Sequence, residues 1–245
     1  MPAPFATSIV QIASDKRPNK MFFVKWFKTH GRSFPWRKRN ISPYKILVTE
    51  MLLRQTRASH VSSIWISFTN RYATPKALLS ASKQDLIKYL RVLGFGNQRS
   101  DALRLAASWL IQHHKGKVPT SLHELLKVPH IGEYSSRAIL CFAYGEREEI
   151  VDSNVLRFFS RYYGLTLKPD NRRNPLAWQI AREALPRGTK FIREHNYGIL
   201  DFTADICKPG KPLCEICPLA RSCNWPTKPI EIAKVITKSH QAQAP

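Results

Sequence analysis

Four cysteines lie close together in "CKPGKPLCEICPLARSC" (207–223), at Cys207, Cys214, Cys217 and Cys223, a C-x6-C-x2-C-x5-C spacing. Four thiolates satisfy one tetrahedral zinc ion or one [4Fe–4S] cube. Structural zinc sites usually pair two CxxC knuckles across a longer loop, and only Cys214–Cys217 forms such a knuckle here. The compact wrap therefore suits the cube better, with zinc and four unrelated thiols as the alternatives. Lys208, Lys211 and Arg221 interleave with the cysteines, so the metal group is expected within a basic surface. The fifth thiol, Cys141, sits in the apolar run "AILCFAY" and reads as core.

Two carboxylates stand in unusual company. Glu50 lies between "ILVT" and "MLL". A carboxylate in such a run is desolvated, which raises its pKa and suits it to proton transfer; the alternative is the solvated edge of a helix. Asp152, in "IVDSNVLRFFSRYYG", follows two β-branched residues and stands where a helix should start, so helix capping accounts for it on sequence grounds. Between them, "LHELLKVPHIGEYSSRAILCFAYG" (122–145) reads as helix, tight turn, helix, with Pro129 and Gly132 breaking the chain in "VPHIG". Backbone N–H groups left unpaired beside such a turn can grip a phosphate without reading sequence. Most turns of this kind are only connectors.

The elements that must position these residues are helical almost throughout. Apolar residues recur at helical spacing in 21–30, 45–72, 83–93, 98–114, 121–128, 133–144, 153–163, 174–185 and 190–206. Gly and Pro punctuate nearly every junction. No sustained period-two alternation, internal repeat or heptad is present. The expected fold is all-α. Residues 1–20 and 226–245 are polar and proline-dotted and are expected to be poorly ordered.

The cysteine spacing, the hairpin and the aspartate after it together resemble the iron–sulfur members of the helix-hairpin-helix DNA glycosylases, which include endonuclease III and the adenine glycosylase MutY. The resemblance covers roughly residues 20–225. It implies two helical lobes: a six-helix barrel-like domain over 45–152, and an iron–sulfur domain from 21–44 and 153–225, with the active site at their cleft. It implies a [4Fe–4S] cofactor on the four cysteines. It makes Asp152 the carboxylate that stabilises a sugar turning cationic as its base departs, with Asn154 supporting it. Glu50 would face the base. Bifunctional members carry a lysine just after the hairpin turn, where its amine forms a Schiff base; this chain has Tyr134, which implies a monofunctional enzyme. The family turn usually has glycine where His130 stands, and histidine tolerates positive φ less well than glycine.

"FPWR" (34–37), "TEMLLRQT" (49–56) and "LGFGNQRS" (93–100) are similar to segments of MutY and of the mismatch-specific thymine/uracil glycosylases. "LGFGNQRS" and "LLRQTRASHV" favour the latter. The short stretch after Cys223 points the same way, because MutY carries a further domain there. By resemblance Gln55 fills the gap in the base stack, and Gly96, Asn97 and Gln98 touch the opposite strand. His130, Gly132, Lys208 and Lys211 would meet phosphates. The expected partner is duplex DNA containing a mismatch, bound by a monomer. The rival readings are a MutY-type adenine glycosylase without its last domain and a non-catalytic iron–sulfur DNA-binding protein.

The bulk numbers agree with a polyanionic partner. The 245 residues hold 39 Lys plus Arg against 17 Asp plus Glu, a net charge of +22 spread along the chain. No apolar run is long enough for a membrane span, and the N-terminus lacks the pattern of a secretion signal. A cytoplasmic, nucleoid-associated or nuclear location is expected, where thiols stay reduced.

Overall fold

The computed structural model describes residues 18–167 and 175–225. Among them are eleven α-helices and no strand, as the helical periodicity requires. Residues 1–17 and 226–245, most of the segments expected to be poorly ordered, lie outside the described residues. Residues 18–20 already belong to the fold, since Asn19 accepts hydrogen bonds from the backbone of Met21 and Phe22.

The chain divides into two compact units. The first comprises residues 1–32 and 149–245. Its helices are α1 (Phe22–His30), and α9 to α11 (Ser153–Tyr163, Pro175–Ala184 and Ile192–Asp205), followed by 3-10 turns at Cys214–Ile216 and Ala220–Ser222. Its core is largely aromatic: Phe23, Phe158 and Phe202 meet edge to face at centroid separations of 5.6 to 5.7 Å. α1 lies so close to α11 that a Cβ on Gly198 would fall 2.0 Å from the Phe23 carbonyl oxygen. Only glycine fits there.

The second unit, residues 33–148, holds α2 to α8: Pro43–Leu53, Ala58–Arg71, Pro75–Ser80, Lys83–Leu90, Gly96–His114, Leu122–Leu125 and Glu133–Ile139. A π-helical turn, Leu140–Tyr144, extends α8. Ser42, Thr74, Ser82 and Ser121 each cap a helix by accepting a backbone N–H, and Pro43 and Pro75 occupy first-turn positions. α2 is the central helix. Tyr44 and every residue from Ile46 to Leu52 are buried, against α3, α6 and α8, which is what an apolar stretch with no polar face predicts.

Four boundaries differ from the sequence reading. The stretch 45–72, read as one helical segment, breaks after Leu53: Gln55 adopts φ +53°, and the helix restarts at Ala58. The hairpin's first helix is a single turn, Leu122–Leu125, rather than 121–128. Residues 33–44, assigned from sequence to the cysteine-bearing domain, belong to the second unit. There Trp36 is buried, stacks on Phe34 at 4.8 Å and lies 6.2 Å from Trp65 of α3. Residues 149–152 belong to the first unit: Val151 joins its core, and the buried Glu149 carboxylate pairs with Arg182 of α10 at 2.8 Å.

Candidate functional site

Asp152 is the N-cap of α9. Its Oδ1 accepts the backbone N–H groups of Asn154 (2.9 Å) and Val155 (2.8 Å), and its Oδ2 accepts the Asn154 side-chain amide at 2.8 Å. A half-buried carboxylate tied at three points has one orientation, and it sits on the positive end of a helix dipole. Asn154 is held in turn, because its Oδ1 accepts from Arg157 at 2.9 Å. Arg157 also donates to the carbonyls of Thr203 (3.0 Å) and Cys207 (2.8 Å). One hydrogen-bonded chain thus runs from the Asp152 carboxylate to the backbone of the first clustered cysteine.

One turn further along α9, Arg161 donates to the carbonyls of Lys208 (2.7 Å) and Gly210 (3.2 Å) and reaches the Cys207 sulfur at 3.6 Å. The loop closes through Leu213 N–H to the Ile206 carbonyl, and Asn224 fastens the far side to the Tyr163 carbonyl at 3.0 Å. Cys207, Cys214, Cys217 and Cys223 line one cavity together with Phe158, Tyr162 and Leu219. Burial raises the Cys217 and Cys223 thiols above their ordinary range, and the other cysteines push in the same direction, so the four lie within electrostatic reach of one another. Among the described residues, no group of three or more His, Cys, Asp and Glu side chains is arranged to hold a metal ion. The donor set is four sulfurs around a shared space. Lys208 and Lys211 are exposed on the loop it braces.

In the second unit, Glu50 is 6% exposed on the central helix, and burial pushes its pKa up to about 8. At neutral pH this carboxyl is an acid holding its proton. Tyr134 is half-buried in the first turn of α8, the helix that packs on α2. The hairpin turn places His130 at φ +64°, so the position usually taken by glycine does adopt the left-handed conformation. Gly132 has an ordinary extended backbone, φ −99° and ψ −176°, and a Cβ built on it meets nothing within 4 Å. Nothing in the fold itself demands glycine there; the open space leaves room for close approach from outside.

Gln55, Gln98 and His130 line a single cavity of about 270 Å³, along with Arg54, Phe95 and Arg99. Gly96 opens α6, and Asn97 and Gln98 are exposed in its first turn. Sequence reasoning missed Phe95, Arg99, Arg157 and Arg161. The four-residue step between Arg157 and Arg161 puts both on one helix face, a signal that was present, but their acceptors are carbonyls up to fifty residues away.

Residues 48–181 match the family of HhH-GPD superfamily base excision DNA repair proteins. The chain is 35% identical over 202 residues to a thymine/uracil-DNA glycosylase of Methanothermobacter thermautotrophicus, covering 82% of this chain and 90% of that one. It is 32% identical to an adenine DNA glycosylase of Mycobacterium tuberculosis, covering 82% of this chain and 66% of the other. The solved structure of a thermostable thymine-DNA glycosylase superposes with a TM-score of 0.78 at 33% identity, over 84% of this chain and 94% of that one. A hairpin between α7 and α8 inside the matched segment, with a capped aspartate following it, is where this likeness and the site geometry meet, and the chain belongs to the HhH-GPD superfamily of base excision DNA repair proteins.

Proposed function

We propose that the protein is a monofunctional DNA glycosylase that extrudes thymine or uracil mispaired with guanine and releases it by hydrolysis. The observation that carries this reading is the Asp152 carboxylate, fixed by two helix N–H groups and Asn154. As the bond between C1′ and the base nitrogen breaks, its electron pair leaves with the base and positive charge builds on the sugar. A carboxylate that cannot turn away stabilises that charge and accepts a proton from the water that attacks C1′. Glu50, protonated at neutral pH in its buried setting, gives the departing base its proton. Tyr134 offers a phenol where an imine-forming lysine would be needed, so an intact abasic strand is the product.

The likeness to thymine/uracil and thymine-DNA glycosylases supports the choice of base. The +22 charge supports a duplex partner held through phosphates, with affinity that falls as salt rises. His130 and Gly132 in the hairpin turn and Lys208 and Lys211 on the cysteine loop are the proposed phosphate contacts. Gln55, with Gly96, Asn97 and Gln98, would meet the bases around the extruded nucleotide. The four cysteines suit a [4Fe–4S] cluster: all are sulfur donors, and they surround one cavity. The cluster would supply a rigid body that braces the basic loop 207–213. A single polypeptide acting alone is sufficient for these roles.

The test is base release from duplexes carrying T:G, U:G, A:G, A:8-oxoguanine or no mismatch, followed by alkali. Breaks in the T and U strands of G mispairs are expected, and Asp152→Asn should lower their rate at least a hundredfold, because asparagine still caps the helix but carries no charge. Breaks confined to adenine strands would refute the substrate. Breaks before alkali would refute hydrolysis without strand cleavage, and binding without any break would refute catalysis.

A further inference from the structure

Of the five non-glycine residues at positive φ among the described residues, three line one cavity: Gln55 (+53°), Phe95 (+54°) and His130 (+64°). L-residues hold that conformation only where their surroundings impose it. Phe95 is also the most anomalous side chain of the loop, 61% exposed at the residue before α6. Gln55 and His130 sit third in tight turns, each closed by one backbone hydrogen bond, from Thr56 N–H to the Leu53 carbonyl and from Ile131 N–H to the Val128 carbonyl.

One side chain ties the loop that carries Gln55 to the loop that carries Phe95. Arg99 is 7% exposed, and its guanidinium donates to acceptors on two separate segments. Nε donates to the Gly94 carbonyl at 2.9 Å. Nη1 donates to the carbonyls of Met51 (3.3 Å) and Leu52 (3.2 Å), and Nη2 to the Arg54 carbonyl (2.8 Å) and to the Thr56 hydroxyl. The Met51 and Leu52 carbonyls belong to the last turn of α2, where no further helix turn can satisfy them. A cation suits that negative helix end. Only a planar fork with five donors makes this set of bonds; a lysine ammonium has three, all at one point. The loop after α2 carries Gln55 and the loop before α6 carries Phe95, both exposed.

We propose that Arg99 is a positioning residue that locks the loops at 54–57 and 94–96 into one rigid reading head, so that Gln55 and Phe95 enter the base stack together. The inference rests on the proposed extrusion of a base, and what it adds is that one guanidinium holds both loops at once. An exposed aromatic ring stacks on any base without reading its identity. A shared clamp fixes the distance between ring and amide before DNA arrives, and misplacement of such a group by about 1 Å costs roughly a hundredfold in rate.

Three variants test this: Arg99→Met, Arg99→Lys and Phe95→Ala, the last at a position too exposed to affect folding. Each is measured for duplex affinity, for single-turnover base release, and for extrusion through the fluorescence of 2-aminopurine placed beside the target. Arg99→Met should lower the extrusion signal and the single-turnover rate by roughly ten- to a hundredfold, with duplex affinity changed less than about threefold because phosphate contacts set it. Arg99→Lys should not restore either. Phe95→Ala should show the same split, and the double variant should be no worse than Arg99→Met alone. Normal extrusion in Phe95→Ala, or additive losses in the double variant, would overturn the inference. So would an Arg99→Met protein that loses affinity in proportion to rate. The fluorescence reads extrusion whichever base is excised, so a wrong substrate would appear as absent base release by the unaltered protein, with extrusion still dependent on Arg99.

Discussion

The most exacting prediction concerns Glu50, because its burial has a consequence for stability as well as for chemistry. The carboxyl is 6% exposed on a helix with no solvated face, and its pKa is pushed from 4.5 to about 8 by burial. Folding therefore favours the protonated form. That advantage is complete below pH 4.5, where both folded and unfolded chains hold the proton. It shrinks by about 1.4 kcal/mol per pH unit between 4.5 and 8, where the unfolded chain releases the proton and the folded chain keeps it. Above pH 8 it is gone. The full span corresponds to about 5 kcal/mol, an upper figure because local rearrangement relieves a buried charge.

Glu50→Gln keeps the size and hydrogen-bonding edge of the side chain and removes the titration. The variant should gain about 2–5 kcal/mol on the wild type between pH 4.5 and pH 8.5, with most of the gain already present by pH 7.5. Paired urea melts at pH 4.5, 6.5 and 8.5, followed by tryptophan fluorescence, measure this, since titrations common to both proteins cancel in the difference. Base release should move the other way: the wild-type rate falls as pH rises through about 8, and the variant is slow at every pH. A stability difference that stays flat from pH 4.5 to 8.5 would refute the buried-acid reasoning outright. A wild-type rate still rising past pH 9 would refute the role of proton donor while leaving the burial intact.

Two further predictions each concern a single residue. Gly132→Ala should leave stability within about 0.5 kcal/mol, since its backbone is extended and a Cβ there meets nothing within 4 Å; duplex affinity should nonetheless drop severalfold, and unchanged affinity in a filter-binding titration would remove the hairpin turn from the DNA contacts. Arg157→Met removes the donor shared by the Thr203 and Cys207 carbonyls and by Asn154. It should cost about 2–4 kcal/mol from the acceptors left unpaired and lower both the visible absorbance of the metal-loaded protein and the rate of base release; a loss of stability with an unaltered rate would show that Asp152 keeps its orientation without this chain.

Local signals carried most of what could be read from the amino-acid order. Ser42 before Pro43, Asp152 after two β-branched residues and Gly145 after "CFAY" announce helix ends by types that act on their nearest neighbours. The desolvation of Glu50 was legible for the same reason, because its flanks are apolar on both sides. The helix Pro75–Ser80 announces itself by a Thr-Pro start, yet at six residues it is too short for periodicity to register. The break at 54–57 was not legible at all. "RQTR" contains no Gly or Pro, and an unbroken helix is its local preference. Where the helix ends, a tight turn closes from Thr56 N–H to the Leu53 carbonyl, and Arg99, far along the chain, takes the carbonyls of Met51, Leu52 and Arg54.

The same distinction separates the two kinds of basic residue in this chain. A surplus of +22 reads from sequence as a uniform field for phosphates, and exposed Lys208 and Lys211 fit that reading. Arg99, Arg157 and Arg161 contribute to the same sum but turn their guanidinium groups onto backbone carbonyls, each bridging segments more than forty residues apart. A buried or half-buried cation costs more in lost hydration than it returns unless its donors are all used, so these arginines fix the loops they touch in one arrangement. Charge-reversing the exposed lysines should change the salt dependence of binding by about one phosphate contact each and leave the rate on bound DNA alone. Neutralising the arginines should do the opposite, and an arginine variant whose only defect was the salt slope would show that it too belonged to the field.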